Sequence, residues 1–251
     1  MTEIELLIAL HRGQYRQGPG DDAITQRAIE LARLEPSCTL KVADVGCGTG
    51  AASRLLASQL DAKVTSVDFL PEFLQELEIA AEAEGIANRI TTLNCSMDTL
   101  PFENNSLDVI WSEGAIYNIG FESGLRQWRN FLKPGGILAV TEITWLTDQR
   151  SEEIDRYWNN QYPQIDTAAN KLSQLEANGY SPLAYFVLPE FCWLDNYYKP
   201  LERQFPQFLK EQANSKEARA VVKEYEAEQA MYEQYASSYS YGFYIAKKVP
   251  A

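Results

Sequence analysis

Val42-Ala43-Asp44-Val45-Gly46-Cys47-Gly48-Thr49-Gly50 is the stretch that decides how the rest of the chain is read. A short apolar strand runs into glycines at alternate positions and then into a helix beginning at Ala51. Glycine lets the backbone turn sharply and lets a ligand touch the main chain. The start of the following helix offers free N–H groups. Asp68 ends the next strand, where a carboxylate can accept hydrogen bonds from both ribose hydroxyls of an adenosine-containing cofactor. The expectation is that the bend is bare of side chains because such a cofactor lies against it.

Outward from this turn the chain alternates strands and helices. Leu40 to Val45 reads as a strand, Ala51 to Leu60 as a helix and Lys63 to Asp68 as a second strand. Pro71 opens a helix that stops near Gly85. Arg89 to Cys95 and Leu107 to Ser112 are strands, Ser123 to Leu132 is a helix closed by Pro134-Gly135-Gly136, and Ile137 to Trp145 is a fifth strand. This pattern predicts an α/β fold, a doubly wound parallel sheet covered on both faces. Two helices precede it: Ile4, Leu7, Ile8 and His11 share a face of the first, and Asp21 or Asp22 caps the second. Beyond it, Glu152 to Asn160, Thr167 to Asn178 and Asn214 to Ser237 read as helices. Leu183 to Leu188 and Tyr241 to Val249 read as strands. No repeat or linker interrupts the chain, so one domain is expected over residues 1–251. It comprises an N-terminal helical cap (1–36), a cofactor-binding core (37–146) and an aromatic, helical cap with the last strands (147–251).

The chain has 251 residues and a formal net charge of −13, which argues against nucleic acid and anionic lipid as partners. Cys38, Cys47, Cys95 and Cys192 form neither a zinc pattern nor a disulfide framework. No metal site is expected. The first residues lack a secretory signal and no apolar run reaches membrane-span length. The expectation is a soluble, cytoplasmic protein with free thiols.

The glycine spacing is G-x-G-x-G, not the G-x-G-x-x-G of a dinucleotide site. With Asp68 it resembles the first motif of the class I S-adenosylmethionine-dependent methyltransferases. Asn94-Cys95-Ser96-Met97-Asp98 is similar to that family's segment after the third strand, where an acid meets the adenine amine. Ser106 to Gly114 is similar to its fourth-strand motif, and Leu132-Lys133-Pro134-Gly135-Gly136 to the turn before its fifth strand. The nearest resemblance is to small-molecule methyltransferases of the UbiE and type 11 kind. It implies a Rossmann-like, seven-stranded sheet of order 3-2-1-4-5-7-6 with an antiparallel seventh strand. S-adenosyl-L-methionine is the implied cofactor and S-adenosyl-L-homocysteine the product. The implied cofactor residues are Tyr15, Asp44, Gly46, Cys47, Gly48, Thr49, Gly50, Asp68, Phe69, Ser96, Met97, Asp98, Glu113 and Gly114.

The acceptor belongs beyond the carboxyl ends of the fourth and fifth strands. His11, Tyr117 and Glu142 are the candidate catalytic residues. His11, the sole histidine, has an ordinary pKa suited to a base; ordinary packing at a helix end is the competing reading. Tyr15 could present its ring to the sulfonium or simply pack in its loop. Asp44 suits backbone amides near the turn, or the cofactor's ammonium through water. The aromatics of the cap would line an apolar acceptor pocket or fill the cap's own core. The long C-terminal helix would be a cover or a homodimer contact. Glu113 and Glu122 resemble the double-glutamate loop of arginine methyltransferases, but that family's β-barrel has no room here, and Glu113 is assigned to the cofactor's methionine end.

The expected activity is methyl transfer to a small-molecule acceptor. Two alternatives stand beside it. One is a nicotinamide-dependent oxidoreductase, for which Tyr244-x-x-x-Lys248 offers a formal motif. The other is a non-catalytic protein that binds the same cofactor.

Overall fold

The computed structural model describes residues 2–34 and 39–249; Cys38 lies outside them. Helices α1 (Glu3–His11) and α2 (Asp22–Ala32) lead into β1 (Leu40–Val45), α3 (Ala51–Gln59), β2 (Ala62–Asp68), α4 (Pro71–Ala83), β3 (Ile90–Asn94), β4 (Leu107–Ser112), α5 (Phe121–Trp128) and β5 (Leu132–Trp145). The second half adds α6 (Glu152–Gln161), β6 (Asp166–Thr167), α7 (Ala168–Ala177), β7 (Tyr180–Val187), α8 (Glu190–Trp193), α9 (Lys199–Glu211), α10 (Lys216–Tyr235) and β8 (Tyr239–Lys248).

The strand order is β3-β2-β1-β4-β5-β8-β7, with the two-residue β6 beside β5 off this path. β1 to β5 are parallel, and β8 runs antiparallel between β5 and β7. Setting β6 aside, this is the expected order. Both faces of the sheet are covered, so the central strands β1, β4, β5 and β8 are buried along most of their length, while the edge strands β3 and β7 are largely half-buried or exposed. Alternate residues feed opposite cores: Val42, Val109, Trp111 and Ala139 pack on one face, and Ala43, Ile110, Leu138 and Val140 on the other.

Local chemistry explains the helix starts. The Thr2 hydroxyl accepts from Glu5 N at 3.2 Å while the Glu5 carboxylate accepts from Thr2 N at 2.7 Å, a capping box. Asp21 caps α2 by accepting from Ala23 N at 2.8 Å. Pro71 occupies the first turn of α4.

Two regions differ from the sequence reading. The helix expected to reach Leu132 ends at Trp128, and Leu132 already belongs to β5 because it pairs with Leu107. The stretch between residues 189 and 213, left without elements, is helical. α8 passes through a π-helical turn, Leu194–Tyr198, into α9. Leu201, Phe205 and Phe208 form a buried stripe at helical spacing on α9. Pro206 lies inside this helix on its exposed face, where it supplies no backbone N–H to the helix. α10 is a cover: Val221, Val222 and Tyr232 are buried, and the helix packs on α1, α9 and the π-helical turn.

Candidate functional site

A cavity of about 610 Å³ opens at the carboxyl ends of β1, β2 and β4, within the roughly 300–1,000 Å³ typical of small-molecule sites. Its floor is the turn after β1. Gly46 and Gly48 have φ of +73° and +55° there, a left-handed backbone that disfavours any side chain. The space above them is taken by this chain: a Cβ on Gly46 would collide with the Cβ of Ala115, and one on Gly48 with the Gln17 side-chain oxygen. The bend is therefore not bare on account of a ligand alone. Gly50 is the left-handed cap of α3, closed over by Leu77.

Asp68 stands across the turn from Gly48. Its carboxylate accepts from Gly48 N at 2.8 Å and from Leu70 N at 2.9 Å. A carboxylate has about four lone-pair directions, so these bonds hold Asp68 in place and leave acceptor capacity toward the cavity it lines. Burial raises its pKa, and the two amides oppose the rise. Asp44, buried beneath the turn, accepts from the Ser53 hydroxyl at 2.6 Å, which itself accepts from Ser66 at 2.7 Å. Burial pushes the Asp44 carboxyl up to about 7.

Glu113, in the turn after β4, is the most heavily engaged acid. It accepts from Arg16 Nη1 at 2.9 Å, from the Thr25 hydroxyl at 2.7 Å and from Trp111 Nε1 at 2.9 Å. The other terminal nitrogen of Arg16 donates to Asp22 at 2.9 Å. Gln17 accepts from Thr49 N at 2.8 Å. The segment between α1 and α2 is thus fastened over the glycine turn, and Asn196 of the π-helical turn holds it from outside by donating to Gly20 O and Asp21.

The opposite end of the cavity is made by α1, the turn Ile116–Ile119 and α10. His11 Nε2 lies 2.7 Å from the Tyr225 hydroxyl, its ring stacks near Tyr197, and its Nδ1 is buried without a hydrogen-bond partner among the described residues. Desolvation lowers its pKa to about 4, so it is neutral at physiological pH. Tyr117 also lines this end, its ring edge-on to Tyr162.

Of the residues expected from the sequence, Asp44, Gly46, Cys47, Gly48, Asp68, Phe69, Ser96, Met97, Asp98, Glu113 and Gly114 line the cavity, as do His11 and Tyr117. Four do not. Tyr15 turns away: its hydroxyl donates to Asp22 at 2.8 Å and its ring carries the guanidinium of Arg54. The Thr49 hydroxyl bonds the carbonyls of Gln14 and Tyr15, fastening the loop. Gly50 serves the helix cap. Glu142 is buried in an ion pair with Lys171, 2.7 Å away and itself buried, so it bridges β5 and α7 and has no access to an acceptor. Glu122 lies in a separate surface groove from Glu113, so no double-glutamate grip forms. Tyr244 bonds the Thr144 hydroxyl and Lys248 bonds Leu132 O and Asn105; they form no catalytic pair. Gln17, Thr25 and Tyr225 are the site residues that sequence reasoning missed. Their partners lie between 32 and 214 residues away, and no local pattern marks such contacts.

The lining chemistry separates two kinds of cofactor. Asp44, Asp68, Asp98 and Glu113 contribute carboxylates, and among the described lining residues Arg16 is the sole lysine or arginine. The amides of Gly48 and Thr49, which a pyrophosphate would need, are already taken by Asp68 and Gln17. Such a cleft suits a ribose and a cationic sulfonium, and S-adenosylmethionine fits it where a dinucleotide does not. Among the described residues no group of three or more metal-ligating side chains converges. No described helix is long and apolar enough to cross a membrane.

This fold and cleft define a Rossmann-like domain for an adenosyl cofactor. The methyltransferase-domain family matches residues 42–136, and over that stretch the chain is similar to S-adenosylmethionine-dependent methyltransferases. A sterol 24-C-methyltransferase of Gibberella zeae is 29% identical over 65% of this chain and 45% of its own length. A glycine/sarcosine/dimethylglycine N-methyltransferase of Actinopolyspora halophila is 28% identical over 53% of this chain and 24% of its own. The chain spans less than half the length of these curated relatives. A methyltransferase structure from Geobacter sulfurreducens, in complex with S-adenosyl-L-homocysteine, superposes with a TM-score of 0.84 at 19% identity, covering 96% of this chain and 97% of that one.

Proposed function

We propose that the chain, acting as one domain, transfers a methyl group from S-adenosylmethionine to a small-molecule acceptor. The observation that carries this reading is the anchored Asp68 carboxylate facing an acid-lined cavity across a glycine turn whose amides are already satisfied. When bound, the sulfonium supplies a methyl group with a good leaving thioether behind it. This chain's part is to hold and align. Asp68 binds the ribose, while Asp98, Ser96, Met97 and Phe69 surround the base. Arg16 and Glu113 close the loop over the methionine end and keep water out. His11 and Tyr117 face the acceptor. The named relatives span acceptors as different as a sterol and an amino acid, so family alone does not select one. A cytoplasmic location belongs to the same proposal; subcellular fractionation tests it.

Calorimetry with S-adenosyl-L-homocysteine tests the binding step. The expected result is a saturable one-to-one isotherm that weakens at least about tenfold in Asp68→Ala, the loss of charged hydrogen bonds to two hydroxyls. Undiminished binding in that variant overturns the ribose assignment. The absence of binding to the unaltered chain overturns the reading.

A further inference from the structure

The segment between α1 and α2, residues 12–21, forms one wall of the cavity through Arg16, Gln17, Gly18 and Pro19. Two of its fastenings lie inside the site: Arg16 on Glu113 at 2.9 Å and Gln17 on Thr49 N at 2.8 Å. Two more lie outside it. At the start of the segment Gly13 N donates to Glu76 of α4 at 3.1 Å. At its end the side-chain amide of Asn196 donates to Gly20 O at 3.0 Å and to the Asp21 carboxylate at 2.8 Å. Neither Glu76 nor Asn196 lines the cavity.

Asn196 belongs to the π-helical turn Leu194–Tyr198, a form rarer than the α-helix and frequent at functional sites. Three successive side chains of this turn hold three elements around the cavity. Asn196 holds the segment, Tyr197 stacks with its ring 6.2 Å from that of His11 on α1, and the Tyr198 hydroxyl donates to Glu228 of α10 at 2.8 Å. The bond from Asn196 to Asp21 has an ionised acceptor, the stronger class of hydrogen bond. Asp21 also caps α2. One side chain therefore ties the end of the segment, and the cap of the helix that follows it, to a turn 175 residues away.

We propose that Asn196 is a positioning residue that latches this segment shut over the cavity, so that the π-helical turn governs how long a bound S-adenosyl compound stays. Asn196 touches no ligand and acts through Arg16 and Gln17, which the segment carries. With the latch cut, the inner fastenings alone hold the segment's middle, and the fraction of molecules with it lifted rises. The identity of the ligand rests on the methyltransferase reading; the latch itself does not.

The test uses the full chain carrying Arg12→Gln, in which the bond after Arg16 is the one tryptic site left in the segment; the Arg16 side chain is only 9% exposed. In this background Asn196→Asp replaces the donor by an acid facing the Asp21 carboxylate. Cleavage after Arg16 by limiting trypsin is expected to rise at least about tenfold, the order of one hydrogen bond to a charged group, with cleavage within residues 40–145 unchanged. Dissociation of S-adenosyl-L-homocysteine, followed by surface plasmon resonance, is expected to quicken as well. Asn196→Ala is expected to move both rates in the same direction. Adding Asp21→Asn to Asn196→Asp reverses the donor and acceptor while preserving the cap of α2, and is expected to bring both rates most of the way back. Unchanged cleavage in both single variants overturns the proposal, as does a rise along the whole chain, a double exchange no better than the single, or faster cleavage with unchanged dissociation. If the unaltered chain refuses S-adenosyl-L-homocysteine, the earlier reading fails, and cleavage after Arg16 still decides for or against the latch.

Discussion

Arg16 and Glu113 form an ion pair at 2.9 Å with only 9% and 10% of their side chains exposed. It joins the loop between the first two helices to the turn after β4. Thr25 and Trp111 donate to the same carboxylate, so Glu113 is held from three elements and the loop cannot lift without uncovering it.

Removing one partner of a buried pair leaves the other charge stranded, at a cost of about 3–5 kcal/mol. Arg16→Met is therefore expected to destabilise the chain by that order in urea denaturation. The double variant Arg16→Met, Glu113→Leu should lose clearly less than the sum of the singles. Additive losses would mean that the pair is not coupled.

Gly46 and Gly48 differ in what stands over them. Gly46→Ala meets the Cβ of Ala115, which has no rotamer to escape by. The left-handed backbone and the overpacking together should cost roughly 2–4 kcal/mol. Gly48→Ala meets only the flexible end of Gln17, so roughly 1–2 kcal/mol from the backbone is expected. Denaturation midpoints of the two variants give the order; the reverse order would contradict the packing described.

Burial moves Asp44 and His11 in opposite directions, and the signs can be separated. Asp44 has its folded pKa raised to about 7 from a model-compound value of 3.8. The folded state then holds the extra proton, and the Asp44 contribution to stability falls as pH rises from about 4 to about 7. His11, lowered to about 4 from 6.5, makes the unfolded state the better proton binder, so its contribution rises over about pH 4 to 6.5. Unfolding free energies across this range should show the unaltered chain losing stability relative to Asp44→Asn with rising pH and gaining it relative to His11→Phe. Parallel profiles for either variant would sink that assignment.

Glu142 and Lys171 bridge β5 to α7 at 2.7 Å, away from the cavity. Lys171→Met should therefore cost about 3–5 kcal/mol of stability while the folded protein keeps its affinity for S-adenosyl-L-homocysteine. A selective loss of binding would return Glu142 to the site.

The parallel half of the fold was legible because its signals are local. Apolar runs of strand length, Pro71 at a helix start and the glycine turn after β1 are each contained within a few residues. The Leu132 boundary was not, because the chemistry of Lys133-Pro134-Gly135-Gly136 reads as a loop, whereas pairing with Leu107 draws Leu132 into the sheet. α9 was hidden by Pro206, a helix breaker in its interior, which the burial of Leu201, Phe205 and Phe208 on the opposite face outweighs. At the site, the motif led to the carboxylates that line the cavity but misdirected Glu142 and Tyr15. Position at a strand end or in a loop does not say whether a side chain will find Lys171 or Asp22 instead. The His11–Tyr225 contact joins opposite ends of the chain and has no sequence signal at all.

A crystal structure of the chain grown with S-adenosyl-L-homocysteine tests the central claim most directly. The account predicts the thioether in the acid-lined cavity, its ribose diol on the Asp68 carboxylate and the His11 end left open for the acceptor. An adenosyl group bound elsewhere, or a cavity that excludes it at saturating concentration, would contradict the account.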